Sequence, residues 1–178
     1  RRRTPEKIAL LEDNIKKVNP GAKLIYANSR ITVDQPELIK GKKVLVIEDG
    51  PTMTHGCMKF GAGTVAAERL GASEIVDPRP YTVGKLSETF EIYPDIGCLL
   101  PAMGYSGQQV KDLEATIGKA DCDTVIIGTP MDLSRVIQID KPYTRVHYEL
   151  EELEGLNLAE VMDDFVHKHS SKMLVHSR

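Results

Sequence analysis

Tryptophan is absent from this sequence, and aromatic residues make up only 5% of it. Base-stacking platforms for single-stranded nucleic acid are therefore hard to build. An excess of one charge is missing as well: 23 Lys+Arg against 26 Asp+Glu leave a formal net charge of −3. That balance leaves no electrostatic footprint for nucleic acid or for an anionic membrane surface. Cysteine occurs three times, at Cys57, Cys98 and Cys122, with no CxxC pair. The spacing argues against a disulfide framework and a structural zinc site, and fits a reducing cytosol, so a cytoplasmic location is expected. No apolar run reaches the length of a membrane span, and no signal-peptide pattern is visible. A Walker A loop is also lacking. The Gly-Lys pairs at 41–42, 84–85 and 118–119 have neither the glycine five positions earlier nor the following Ser/Thr. Nucleotide chemistry would need another phosphate cradle, or one supplied from outside the chain.

What is present is ordinary globular material: 178 residues, 41% hydrophobic and 28% charged, enough for one well-filled domain. The chain opens on Arg1-Arg2-Arg3 with no Met, which reads as a processed product or a piece of something longer. Apolar positions Ile8, Leu11, Ile15 and Val18 predict an amphipathic helix from Thr4 to Lys17, stopped by Asn19-Pro20-Gly21. Strands are expected at 23–28, 42–49, 73–77 and 122–130, with a short strand or buried loop at 97–103 and a final strand, at an edge or inside the sheet, in "YTRVHYELEE". Helices are expected after Gly63, in "GKLSETFEIY", over 106–120 with Ser106 as cap, in "MDLSRVIQI", and in "NLAEVMDDFVHKH". Apolar strands alternating with helices give an α/β fold: a mostly parallel sheet of about five or six strands with helices on both faces, a Rossmann-like three-layer sandwich. Residues 1–150 form that domain in this reading, and 151–178 a C-terminal helix and tail packed on it or extending from it.

In such folds ligands sit outside the carboxyl ends of the strands. The stretch "VLVIEDGPTMTHGCMKFGAG" leaves the strongest strand at that end with unusual chemistry. Asp49 is a hard-oxygen ligand for Mg²⁺. Thr52 and Thr54 offer hydroxyl donors to phosphate, and Lys59 an ammonium. His55 can transfer a proton. Gly61 and Gly63 open a helix whose first N–H groups can meet an anion. The plain alternative, glycines and threonines serving a turn and caps, has less in its favour. Gly61-x-Gly63-x-x-Ala66 is a weak dinucleotide fingerprint, because a loop intervenes after Asp49.

Two prolines flank Arg79 and either aim it at an anion or leave it in a surface loop paired with Asp77. Tyr105, just before a helix start, is a candidate phosphate or sugar contact. Thr129 and Asp132 have the spacing of a guanine-reading motif, with Pro130 in place of its lysine. Capping explains them about as well. Arg145 and His147 share one face of the last strand, read here as a polar, solvated face.

Four ordered blocks, "GKKVLVIEDGPTMTHGCMKFGAG", "EIVDPRPYTVG", "IGCLLPAMGYS" and "IIGTPMDLSRVI", together resemble the C-terminal part of archaeal cyclic 2,3-diphosphoglycerate synthetase and its relatives, often labelled predicted GTPases. The resemblance covers nearly all of residues 6–150, and "ANSRITVDQP" is similar to the connector into this region. It implies a cytoplasmic ligase that uses ATP and Mg²⁺ to close an intramolecular phosphoanhydride, releasing ADP and phosphate. It also implies an N-terminal P-loop portion of the same protein, a small phosphorylated metabolite as partner, and no nucleic acid or membrane. A homodimer is compatible with it. His55, Lys59 and Arg79 are the catalytic candidates on chemical grounds. Thr52, Thr54, Gly61, Gly63, Tyr105 and Thr129 are the phosphate-binding ones, and Asp49 is the metal ligand. A GTPase-like NTPase of other substrate (GTP in place of ATP) and a non-catalytic binding or oligomerisation module are the alternative readings.

Overall fold

The computed structural model describes residues 4–55 and 58–173, with side chains as far as residue 170; Cys57 lies outside these. The chain is α/β, with a six-stranded, mostly parallel sheet flanked by helices. Its central strand β2 spans Lys43–Asp49. Val44, Leu45, Val46 and Ile47 are completely buried, the continuous apolar run that a strand covered on both faces requires. Each such side chain contributes about 1.5–3 kcal/mol of burial free energy.

β5 (Thr124–Ile127) pairs with β2 in parallel, from Val44↔Thr124 to Ile47↔Ile127. The other edge of β2 is shared by two short parallel strands in succession. β3 (Glu74–Ile75) pairs with Lys43 and Val44, and β4 (Leu100–Ala102) with Ile47, Glu48 and Asp49. β6 (Tyr143–Glu152) runs parallel to β5, and β1 (Ala27–Val33) lies beyond it, in the order β1-β6-β5-β2-β3. The final strand is therefore interior and the first is the edge. The strand expected at 23–28 is shifted along the chain: only Ala27 and Asn28 of that run belong to β1, and 23–26 precede it.

The expected loop after β2 begins as a short helix, α2 (Gly50–His55). α3 (Ala62–Leu70) lies on β2 and β5, and its contact residues Ala66 and Ala67 are small enough for close approach. It stops at Gly71, whose φ of +72° suits a left-handed cap; the Gly71 N–H bonds back to the carbonyls of Ala67 and Glu68. α4 (Lys85–Ile92) and α5 (Gly107–Lys119) pack on each other. Ser106 opens α5, with both its N–H and its hydroxyl donating to the Gln109 side chain.

Contacts divide the chain into two compact units, one over Arg30–Glu149 and one built from the two chain ends up to Ser29 and from Leu150. The second unit holds α1 (Pro5–Val18) and α6 (Leu158–Met173); the segment after α1 is tied to α6 by a Lys23–Asp164 ion pair of 2.7 Å and to the stretch before α6 by a bond from the Leu153 N–H to the Tyr26 carbonyl. The amphipathic helix read at the start of the sequence is there, but α1 buries none of its residues.

Candidate functional site

The carboxyl ends of β2, β4 and β5 lie side by side, because those strands are parallel and in register there. β2 ends in two carboxylates, and strand alternation sends them to opposite faces. Glu48 goes with Val46 to the face carrying α3, and only 2% of it is exposed. Its Oε1 accepts the backbone N–H of Thr64 at 3.0 Å and the Thr64 hydroxyl at 3.3 Å. The N–H groups of Gly63 and Gly61 also point to this carboxylate. A Cβ on Gly61 would lie 2.3 Å from Oε2, and one on Gly128, just past β5, 2.6 Å from the same atom. Only glycine leaves room for the carboxylate at these two positions.

The N–H groups at Gly61, Gly63 and Thr64, where an external anion was expected, are turned to Glu48 of the same chain. An external phosphate would reach those N–H groups only by displacing Glu48. Burial pushes the Glu48 carboxyl up to about 7, against the hydrogen bonds from Thr64, Gly63 and Gly61 that pull it down. Sequence reading passed over Glu48 for its neighbour Asp49. The available signal was that Glu48 shares Val46's face, where a helix must sit. A buried carboxylate there needs donors, and the Gly-x-Gly-Thr helix start supplies them.

Asp49 goes to the other face. Its Oδ2 accepts the Thr52 hydroxyl at 2.5 Å and the Thr52 N–H at 3.3 Å, so Thr52 braces the carboxylate. Tyr105, following β4, and Thr129, following β5, meet beside it. The Tyr105 phenol is influenced by the Thr129 hydroxyl, and burial, with the Asp49 charge behind it, holds it above its ordinary value. Thr129 is 1% exposed and donates to the Met131 carbonyl at 2.8 Å, which fixes the turn after β5. Asp49, Tyr105 and Thr129 are thus brought together from three strands.

The other candidates have partners within the chain. The Thr54 hydroxyl bonds the Gly50 carbonyl at 3.1 Å and lies 3.0 Å from His55 Nδ1, so it closes α2. His55 also approaches the Pro51 carbonyl at 3.3 Å and is exposed. Lys59 is exposed and pairs with Asp95 at 3.5 Å. Arg79 donates to Asp77 Oδ1 at 2.9 Å through Nη1, and through Nη2 to the carbonyls of Pro94 and Ile96. Its guanidinium also lies over the Phe90 ring, 4.8 Å from the centroid. These contacts make it a strut between the loop after β3 and the segment before β4.

Among the described residues no group of three or more His, Cys, Asp or Glu is placed to hold a metal. Mg²⁺ can bind through one or two carboxylates when phosphate oxygens and water fill the remaining positions, and at this sheet edge Asp49 is the carboxylate that could serve. Cys98 and Cys122 are free thiols. No helix among the described residues is long and apolar enough to cross a membrane.

No protein-family model matches the chain, and no solved structure matches it. Among curated proteins it is 56% identical, over 158 residues and 89% of its length, to "Arginine synthetase ArcE" of Thermococcus kodakarensis. The chain spans about a third (35%) of that protein's length. The chain is thus similar to a segment of an archaeal protein named as a synthetase.

Proposed function

We propose that this chain is a portion of an ATP-dependent synthetase, that its product is arginine as in the Thermococcus relative's name, and that the Asp49–Tyr105–Thr129 edge holds the phosphorylated reactants. The observation that carries this is the 56% identity over 158 residues to a protein named arginine synthetase. The sheet edge supports it with the donors that a phosphoryl-transfer site uses, where α/β folds place their ligands.

Making a guanidinium from a ureido group means replacing a carbonyl oxygen by nitrogen, and that oxygen is a poor leaving group. ATP transfers its γ-phosphoryl to the oxygen and ADP leaves. Ammonia then adds to the carbon, the C–O bond breaks, and phosphate departs. Positioning and charge neutralisation dominate such chemistry. Asp49, braced by Thr52, would hold Mg²⁺ against the phosphates, where the ion supplies charge neutralisation. Tyr105 and Thr129 would orient phosphate oxygens through their hydroxyls. Arg79 enters as the strut that holds the neighbouring loop, and His55 at the end of α2 and Lys59 after it as exposed groups that a bound reactant could recruit. A P-loop-bearing portion of the same protein would complete the ATP site.

The four motif blocks shared with cyclic 2,3-diphosphoglycerate synthetase support a second reading, in which the same edge closes a phosphoanhydride. ADP release with Mg²⁺ and ATP separates the two. Release that requires citrulline and ammonium, with arginine formed, supports the first reading. Release driven by 2,3-diphosphoglycerate supports the second. GTP hydrolysis with neither substrate would overturn both in favour of an NTPase.

A further inference from the structure

A depression lies between the start of β6, the turn after β1 and the loop after β5. It is a groove of about 670 Å³. Its charged lining consists of two acids, Asp34 and Asp132, and two bases, Lys141 and Arg145, with Tyr143 and Ser134 among the remaining walls. Two carboxylates disfavour a phosphate there, and two cationic groups disfavour a simple cation. A ligand carrying both signs on one small frame matches the lining best.

The acids are held in place. The Ser134 hydroxyl donates to Asp132 Oδ1 at 2.6 Å, and this bond, with the charges of Arg145 and Arg135, keeps the Asp132 carboxyl below its ordinary range. Asp34 Oδ1 lies 2.8 Å from Nε2 of His147 on β6. Arg145 is less well served. Its pairing with Asp132 through Nη1 is long, at 3.4 Å, and its buried Nε has no hydrogen-bond partner among the described residues. A quarter of the Arg145 side chain stays exposed, and a planar guanidinium with a long, weak pairing is well suited to take up a carboxylate.

We propose that this groove binds a zwitterionic amino acid, with Arg145 and Lys141 receiving its carboxylate and Asp34 and Asp132 facing its cationic groups. The proposal stands on the charge pattern of the groove. It deepens the synthetase reading only in supplying an amino-acid site. The loop from Gly128 to Arg135 links the two places, with Thr129 at the sheet edge and Asp132 on the groove wall.

The test is titration calorimetry of the protein with L-arginine, L-lysine, agmatine (arginine without its carboxylate) and inorganic phosphate. The expected result is saturable binding of at least one of the two amino acids. Agmatine should bind about tenfold more weakly or worse, and phosphate not at all. Arg145→Leu should weaken the amino acid about tenfold or more, Arg145→Lys less, and the exposed-rim variant Asp34→Asn severalfold, with circular dichroism showing each folded. Lysine binding without arginine binding would keep the groove and remove arginine as the product. Arginine binding untouched by Arg145→Lys and Asp34→Asn would overturn the groove and leave the synthetase reading intact. Equal affinity for agmatine, phosphate binding that depends on Arg145, or no binding of either amino acid would each overturn the proposal.

Discussion

Glu48 occupies a place where a carboxylate is both held and penalised. Backbone N–H groups at the start of α3 favour its charge, and near-complete burial opposes it more strongly. Because folding raises this pKa, the folded chain binds the proton more tightly than the unfolded chain does. The resulting stabilisation is complete below the ordinary carboxyl value of 4.5 and is lost as pH rises through about 7. Urea unfolding between pH 5 and pH 8 should therefore show a decline of up to about 3 kcal/mol from this group. Glu48→Gln, which keeps shape and removes the charge, should flatten that decline; an unchanged slope would place the titration elsewhere. Arg79 makes the opposite case, a charge whose donors are spent on Asp77 and on the carbonyls of Pro94 and Ile96. Arg79→Lys should lower unfolding stability by about 1–2 kcal/mol, since a single ammonium cannot span those acceptors or lie flat on Phe90. Equal stability of the two proteins in urea would remove the strut.

At the scale of elements, glycine substitutions distinguish a tight junction from an open helix face. β2, the turn after β5 and the N-terminus of α3 converge on one carboxylate. A Cβ on Gly128 would stand 2.6 Å from Glu48 and 2.8 Å from the Gly63 nitrogen. Gly128→Ala should cost about 2–4 kcal/mol, because backbone must move. Gly118, exposed within α5 with nothing within 4 Å of an added Cβ, should instead gain about 0.5–1 kcal/mol as alanine. Thermal unfolding of the pair gives shifts of opposite sign, and shifts of the same sign would contradict this packing.

The elements themselves were largely legible in the sequence. The run Val44–Ile47 is apolar without alternation, which only a doubly covered strand tolerates, and Gly71 marks the end of α3. The placement of β1 and β6 was not legible. Both carry polar, alternating residues, and which of them takes the edge depends on long-range pairing that leaves no local pattern. The candidate site was legible as a neighbourhood: Asp49, Tyr105 and Thr129 follow from strand ends. The division of labour within it was not. Glu48 and Asp49 look alike as letters, and only the side chain that shares Val46's face meets the glycines.

For the whole molecule, the sheet provides a carboxyl edge with one braced acid and two hydroxyls, but no P-loop sequence. Phosphoryl transfer needs cradle, metal and acceptor in register. This chain alone should accordingly release little ADP from ATP, and adding the remaining part of the Thermococcus relative should raise the rate; robust turnover by the chain alone would show that it needs no partner portion. The claim that the sheet edge itself carries the chemistry is tested most directly by Asp49→Asn in that combined assay. Asparagine keeps the bond to Thr52 and removes the charge. The account predicts a fall in citrulline- and ammonium-dependent ADP formation on the order of 100-fold with unfolding stability retained. ADP formation at the wild-type rate in a folded Asp49→Asn protein would contradict it.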